Sequence, residues 1–169
     1  LADVGYSSLT IDKVAQRAGS NRVLIYRVWD SKASLVADAL FGSAQDLTVA
    51  DTGSTREDLR DHIGQLAATM ARPAYLNGVP GLTVDMLRDR AGWREISNRY
   101  VRPSEEALAT ILERGRERGE AIGLVDVRTV TYVISGAITS LAQGMRLPVE
   151  KIADTVLATV VDGLIPLDD

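Results

Sequence analysis

The sequence predicts an all-α protein, and three observations carry that reading. Apolar residues recur at three- and four-residue intervals over long segments, most clearly at Val149, Ile152, Ala153, Val156, Leu157, Val160, Val161 and Leu164. Helix-capping residues stand ahead of several such segments, as Thr10, Ser54 and Asp126 do. No alternating apolar–polar run marks a strand, and no repeat or low-complexity tract breaks the pattern.

Taken in order, Thr10 caps a short helix over Ile11–Ala18, which Gly19 ends. A second helix, Arg22–Val28, follows a tight turn with Asn21 as its cap. A third starts near Ser31 and runs to about Val49, placing Leu35, Val36, Ala39, Leu40 and Leu47 on one face. "ADTGST" reads as a loop. Ser54 and Glu57 have the spacing of a capping box, each side chain serving the other's backbone amide. The helix they open buries Leu59, Ile63, Leu66 and Met70 and ends before Pro73. "PAYLNGVPG" holds two prolines and two glycines and reads as irregular, either a gate or a plain connection. Helices over Thr83–Arg90 and Trp93–Arg118 come next, the latter kinked or restarted at Pro103. Asp126 caps a helix through Met145, and Pro148 sits in the first turn of the last one, where a missing N–H costs nothing.

The 169 residues are 46% apolar and 25% charged, which suits a soluble globular chain with a real core. That length makes one compact unit, or a small module joined to a larger one. The absence of cysteine excludes disulfides, thiolate metal sites and a thiol nucleophile, and it suits a cytoplasmic protein. "LADVGYSSLT" has neither the basic start nor the apolar run of a secretory signal. The uncharged stretch Thr129–Met145 is only 17 residues long and is interrupted by Thr, Ser and Gln. It reads as a buried or interfacial helix, and no membrane partner is expected.

Enzymatic chemistry finds little material. One histidine and no cysteine leave few acid–base or nucleophilic arrangements. There is no phosphate loop, no Gly-x-Ser-x-Gly and no His-Glu-x-x-His. The acidic pairs Asp85/Asp89 and Glu113/Glu117 are interleaved with arginines and read as solvated helix surface. No catalytic residue, metal site or cofactor is expected.

The charge is uneven. Residues 1–36 carry five basic and three acidic side chains, whereas the rest carry fourteen and twenty. A basic head on an acidic body suits a head that meets a polyanion. Within that head, "AQRAGSNRVLIYRVWDSK" has the spacings of a helix-turn-helix. Ala15 is small where two helices cross, and Gly19 supplies the positive φ of the turn. Val14, Ala18, Ile25 and Val28 form an apolar seam, which leaves Ser20, Asn21, Arg22, Tyr26 and Arg27 outward. Such a helix end suits the major groove, with basic and hydroxyl side chains on phosphates. The same residues suit a helical hairpin with a solvated charged face.

"GYSSLTIDKVAQRAGSNRVLIYRVWDSKASL" resembles the DNA-binding head of the tetracycline-repressor (TetR) family. Gly5, Tyr6, Thr10, Ile11, Val14, Ala15, Ala18, Gly19, Tyr26, Ser31, Lys32 and Leu35 match that head. "ERGRERGEAIGLVD" is similar to a late segment of such regulators. The sequence departs from the family at Ser20, Asn21, Val23, Leu24 and Trp29, and Leu24 either meets a thymine methyl or packs inward. "LADVG" looks like the end of a longer helix.

The resemblance implies a helix-turn-helix head over residues 1–48 and a helical ligand-binding and dimerisation domain over 49–169. It implies a repressor that binds a double-stranded palindromic operator as a homodimer, joined through the last two helices, and answers a small-molecule effector. Ser20, Asn21 and Arg22 then reach base edges, and Thr10, Tyr26, Arg27 and Lys32 hold phosphates. Ser135, Gly136, Ala137 and Ser140 are small enough to admit a partner helix. Met70, Tyr75, Leu82, Met86, Trp93, Tyr100, Ile111 and Tyr132 line either a ligand pocket or plain core. Asp85, Arg88, Asn98 and His62 are the polar candidates there, with His62 read as a partly exposed packing residue. The alternative is a helical ligand-binding or scaffold dimer whose head no longer reads DNA.

Overall fold

The computed structural model describes residues 1–42 and 47–161. It is 77% helical, with no strand among the described residues, as the periodicity predicts. The helices are α1 (Gly5–Ser8), α2 (Ile11–Arg17), α3 (Arg22–Val28), α4 (Lys32–Phe41), α5 (Thr55–Met70), α6 (Pro73–Arg88), α7 (Arg90–Ile96), α8 (Arg102–Glu117), α9 (Val127–Ser140) and α10 (Val149–Val156). Wider π-helical turns at Ser97–Val101, Leu141–Met145 and Leu157–Val161 follow α7, α9 and α10. Residues 1–42 with 72–100 form one compact unit, and residues 47–71 with 101–161 form another.

In the first unit, caps fix the short helices. Thr10 Oγ1 accepts the Lys13 amide and Asn21 Oδ1 the Leu24 amide, while Ser31 Oγ accepts from Ser34. Gly19, at φ +60°, ends α2 as its amide reaches Gln16 and that of Ser20 reaches Ala15. Tyr6, Ile11, Ala15, Ile25, Leu35, Val36 and Leu40 are buried. The seam expected at Val14, Ala18, Ile25 and Val28 is only partly formed. Ile25 is buried, but Ala18 is exposed and Val28 is 67% exposed. These residues line an open apolar depression of about 480 Å³ with Leu24, Trp29 and Leu35, because Ile11 and Ala15 carry the closed side of the crossing instead.

Two sequence expectations fail in this stretch because partners elsewhere in the chain decide the outcome. Helix α4 stops at Phe41, eight residues before Val49. Residues 47–50 are in no helix, and Gln65 holds Thr48 by accepting its amide (3.1 Å) and donating to its carbonyl (2.9 Å). "PAYLNGVPG" is not irregular but lies wholly within α6. Pro73 occupies the first turn and Pro80 is carried inside the helix. The glycines serve close approach: a Cβ on Gly81 would lie 2.6 Å from Tyr6, and one on Gly78 would lie 2.8 Å from Leu1.

In the second unit, α5 packs on α8, α9 and α10. Leu59, Ile63, Leu66, Met70, Leu108, Ile111, Ile134, Ile138, Ile152 and Val156 form its core. The capping box is half made. Ser54 Oγ accepts the Glu57 amide, but the Ser54 amide goes to Thr52 Oγ1 rather than to Glu57. Asp58, 0% exposed, instead takes the amide and hydroxyl of Thr52, both at 2.8 Å. Arg118 lies 3.7 Å from its other oxygen and also pairs with Asp51 and Glu120. The chain runs without a break from α7 into α8, with the π-helical turn ahead of Pro103. Asp126 caps α9, and Pro148 is the residue before α10 rather than in its first turn. Leu164 and the side chain of Val161 lie outside the described residues.

Candidate nucleic-acid interface

Helix α3 follows Asn21, whose Oδ1 accepts the Leu24 amide, and Ser20, Asn21, Arg22, Tyr26 and Arg27 face solvent. Arg22 lies 3.7 Å from Asp12 and 5.7 Å from the Tyr26 ring centroid. Both contacts are exposed and weak, so the guanidinium is held near α3 without being consumed. Thr10 stands exposed at the start of α2, and Lys32 sits half-buried at the start of α4 with Nζ 4.0 Å over the Tyr6 ring. The seven candidate DNA contacts therefore lie at the caps that open α2 and α3, in the turn between them, and on α3 and α4. Leu24 is half-exposed and lines the 480 Å³ depression.

Ties within the first unit steady this head, and most of them join residues too far apart in the chain to leave a local signal. The Tyr6 hydroxyl donates to Asp85 Oδ2 at 2.5 Å, and burial, then the Asp85 bond, raises the phenol well above its ordinary range. Asp85 is thus a structural acceptor rather than one of a solvated pair, and Asp89 caps α7 through the Ala91 and Gly92 amides. Trp29 Nε1 donates to Asp38 at 3.0 Å and Tyr100 donates to it at 2.7 Å. The hydrogen bond from Tyr100 is the largest influence holding Asp38 below the usual carboxylate range. Arg72 donates to the Leu40 carbonyl, and Asn77 to that of Ala2.

The residues expected around a ligand are divided between the two units. Met86 and Trp93 share an apolar depression of about 560 Å³. Met86 and Tyr100 line another of about 410 Å³, bounded also by Ser31, Ser34 and Arg99. Tyr75 and Tyr100 flank Phe41, each with ring centroids 5.7 Å from it. Leu82 is buried in α6, while Met70 and Ile111 are core of the second unit. Tyr132 is exposed on α9, and Arg88 and Asn98 are exposed. His62 is not partly exposed. It is 2% exposed, with Nε2 3.2 Å from Ser104 Oγ and Nδ1 lacking a hydrogen-bond partner. Desolvation pushes its pKa down to about 4, so the ring is neutral.

Comparison with known proteins fits this arrangement. Residues 1–39 match the family profile described as bacterial regulatory proteins, tetR family, and residues 49–163 match the Tetracyclin repressor-like C-terminal domain. The chain is 30% identical over 144 residues to the uncharacterized HTH-type transcriptional regulator YdeS of Bacillus subtilis, covering 82% of this chain and 70% of that one. It is 32% identical over 140 residues to the DNA-binding transcriptional repressor TetR of Mycobacteroides abscessus, covering 80% and 72%. The match to the uncharacterized HTH-type transcriptional regulator Mb1581 of Mycobacterium bovis, 29% identical over 121 residues, spans 71% of this chain and 59% of that one. The crystal structure of the transcriptional regulator FadR from Bacillus subtilis in complex with stearoyl-CoA has the same fold. Its TM-score is 0.71 at 18% identity, over 96% of this chain and 92% of that one. With both profiles matched in order along it, this chain belongs to the TetR family of helix-turn-helix transcriptional regulators.

Proposed function

We propose that this regulator is a repressor that binds a palindromic double-stranded operator as a homodimer in the cytoplasm and is released by a small-molecule effector. The observation that carries the reading is the solvent-facing start of α3, where Ser20, Asn21, Arg22, Tyr26 and Arg27 are all exposed beside the basic side chains of α2 and α4. Ser20, Asn21 and Arg22 read base edges in the major groove. Thr10, Tyr26, Arg27 and Lys32 hold phosphates and fix the register. The Mycobacteroides abscessus relative is a DNA-binding transcriptional repressor, which supports that role.

The partner subunit joins through α9 and α10. Helix α9 buries Val130, Thr131, Ile134 and Ile138 on one side and leaves Tyr132, Val133 and Gly136 exposed on another. An apolar strip next to small residues suits a second copy of the same helix. Two heads joined this way read half-sites about 34–36 Å apart, one turn of the duplex.

Selection of bound sites from random double-stranded DNA tests the reading. Recovery of a palindrome that competes with bulk DNA supports it. A folded dimer that enriches no sequence overturns it in favour of a scaffold or ligand-binding dimer.

A further inference from the structure

The end of α6 and the start of α7 enclose the 560 Å³ depression lined by Thr83, Met86, Leu87, Arg90, Trp93 and Arg94. We propose that it binds an amphipathic anion: an aliphatic chain that ends in one anionic group. That volume lies within the range of small-molecule sites. Its floor is Met86, Leu87 and Trp93, and Leu87 is 77% exposed although it is a large apolar side chain. Val84, one turn earlier on α6, is also exposed. Apolar surface left open beside a concave wall marks a place where something else is meant to sit.

The two cations specify the rest of the ligand. Arg90 and Arg94 stand four residues apart on α7, so both guanidinium groups reach the same side of the helix. Among the described residues neither makes an ion pair, whereas Arg17, Arg22, Arg99 and Arg102 each do. The nearby acids are engaged or face elsewhere. Asp85 accepts from Tyr6, Asp89 caps α7, and Glu95 lines the separate 410 Å³ depression. An apolar floor under two guanidinium groups that lack an acidic partner, with Arg94 Nε donating only to the Arg90 carbonyl at 3.4 Å, therefore matches an apolar tail with an anionic head, since arginine grips carboxylate or phosphate through paired N–H donors. A neutral chain leaves the arginines without partners, and a small hydrophilic anion leaves the floor uncovered. Met86 also borders the depression that holds Ser31 and Tyr100, so a ligand here abuts the side chain that packs beside the head of the same unit.

Binding itself does not depend on the regulator reading, but the ligand's role as effector rests on it. The test uses the full chain without DNA. Sodium dodecanoate, dodecyl phosphate and dodecanol are titrated below their aggregation limits by calorimetry and by tryptophan emission, with Trp93→Phe identifying the signal. The expected result is saturable binding of the anions, an emission change lost in Trp93→Phe, and at least tenfold weaker binding in Arg90→Gln/Arg94→Gln. The two anionic arms distinguish a carboxylate head from a phosphate head. Absence of saturable binding, dodecanol binding as tightly as the anions, or an unaffected double variant each overturns the proposal. A Leu87→Lys variant followed by sedimentation covers the competing occupant. Loss of self-association in that variant, without anion binding by the wild type, assigns the surface to a second copy. Success here with no operator found overturns only the DNA reading, and failure here leaves that reading standing.

Discussion

Trp29 and Tyr100 donate to the two oxygens of a single carboxylate, Asp38, at 3.0 and 2.7 Å. Trp29 closes α3, the helix proposed to meet DNA, and Tyr100 belongs to the turn after α7, so one side chain on α4 joins both. Arg99 adds charge 3.7 Å from the same carboxylate. Burial and the bond to Asp38 push the Tyr100 hydroxyl up to about 12, so it remains a donor across the physiological range. Asp38→Asn removes the charge and leaves one of the two donors facing an amide N–H₂. Urea denaturation should show a loss of about 1–3 kcal/mol, with a shift in Trp29 emission and weaker operator binding. Unchanged stability and emission would mean that the tie is not formed in solution.

The roles assigned on the head separate in a salt titration. Lys32→Ala should weaken binding to all DNA sequences and reduce the salt slope by roughly one unit. Arg22→Ala should relax discrimination at one operator position, at a cost of about 1–3 kcal/mol. Identical behaviour of the two variants in a binding assay across salt concentrations would refute the division into base and phosphate contacts.

Close packing makes two glycines intolerant and leaves another free. A Cβ on Gly115 would overlap Thr55 Oγ1 and Ile122 Cδ1, and one on Gly81 would press on Tyr6. Each glycine-to-alanine change should destabilise by about 1–3 kcal/mol despite the gain in helix propensity. Gly64, inside α5, meets nothing within 4 Å. Gly64→Ala should instead stabilise by about 0.5–1 kcal/mol, since alanine loses less backbone entropy in a helix. Thermal unfolding of the three variants checks the contrast.

His62 gives the stability a defined acid limb. Its folded pKa is about 4, below the ordinary 6.5, so the folded state prefers the neutral ring. Above pH 6.5 both states are neutral and the group contributes no pH dependence. As pH falls from there, the unfolded chain takes up a proton that the folded chain refuses, and stability declines until about pH 4. The loss approaches about 3 kcal/mol. Denaturant midpoints measured between pH 7.5 and 4 should flatten in His62→Leu over this window, and an unaltered slope would assign the pH dependence elsewhere.

Val133 is half-exposed on α9, so a charge there should spare the subunit's own fold. In sedimentation, Val133→Arg should turn a dimer into a folded monomer that has lost operator affinity. A dimer that survives the change would place the interface on another surface.

Local signals were legible in the sequence where the chemistry is local. Thr10, Asn21, Ser54 and Asp126 cap the helices they precede because the cap acts within three residues. Gly19 marks its turn because only its own φ is at issue. Residues governed by distant partners misled. The glycines of α6 read as breaks, although their role is set by Tyr6 and Leu1, more than seventy positions earlier. His62 looked peripheral because its burial depends on Ser104 and the helices around it, which no window along α5 contains. The apolar residues chosen for a pocket were nearly all buried or half-buried, but periodicity tells that a side chain faces inward and not whether space remains beside it.

The interleaving of the two compact units bears on how the molecule can be cut and grafted. Tyr6, Leu40 and Asp38 find partners on α6, at Arg72 and in the turn after α7, beyond an intervening stretch that belongs to the other unit. A fragment ending at residue 48 would leave the Tyr6 hydroxyl and the Leu40 carbonyl without their acceptor and donor, and would uncover the side chains that Gly78 and Gly81 admit. A chimaeric regulator that borrows this reading head must therefore carry residues 72–100 with it, as a second piece of sequence stitched back through a foreign body. Ribosomal synthesis meets the same order, because the head is made first yet cannot finish packing until α7 has emerged.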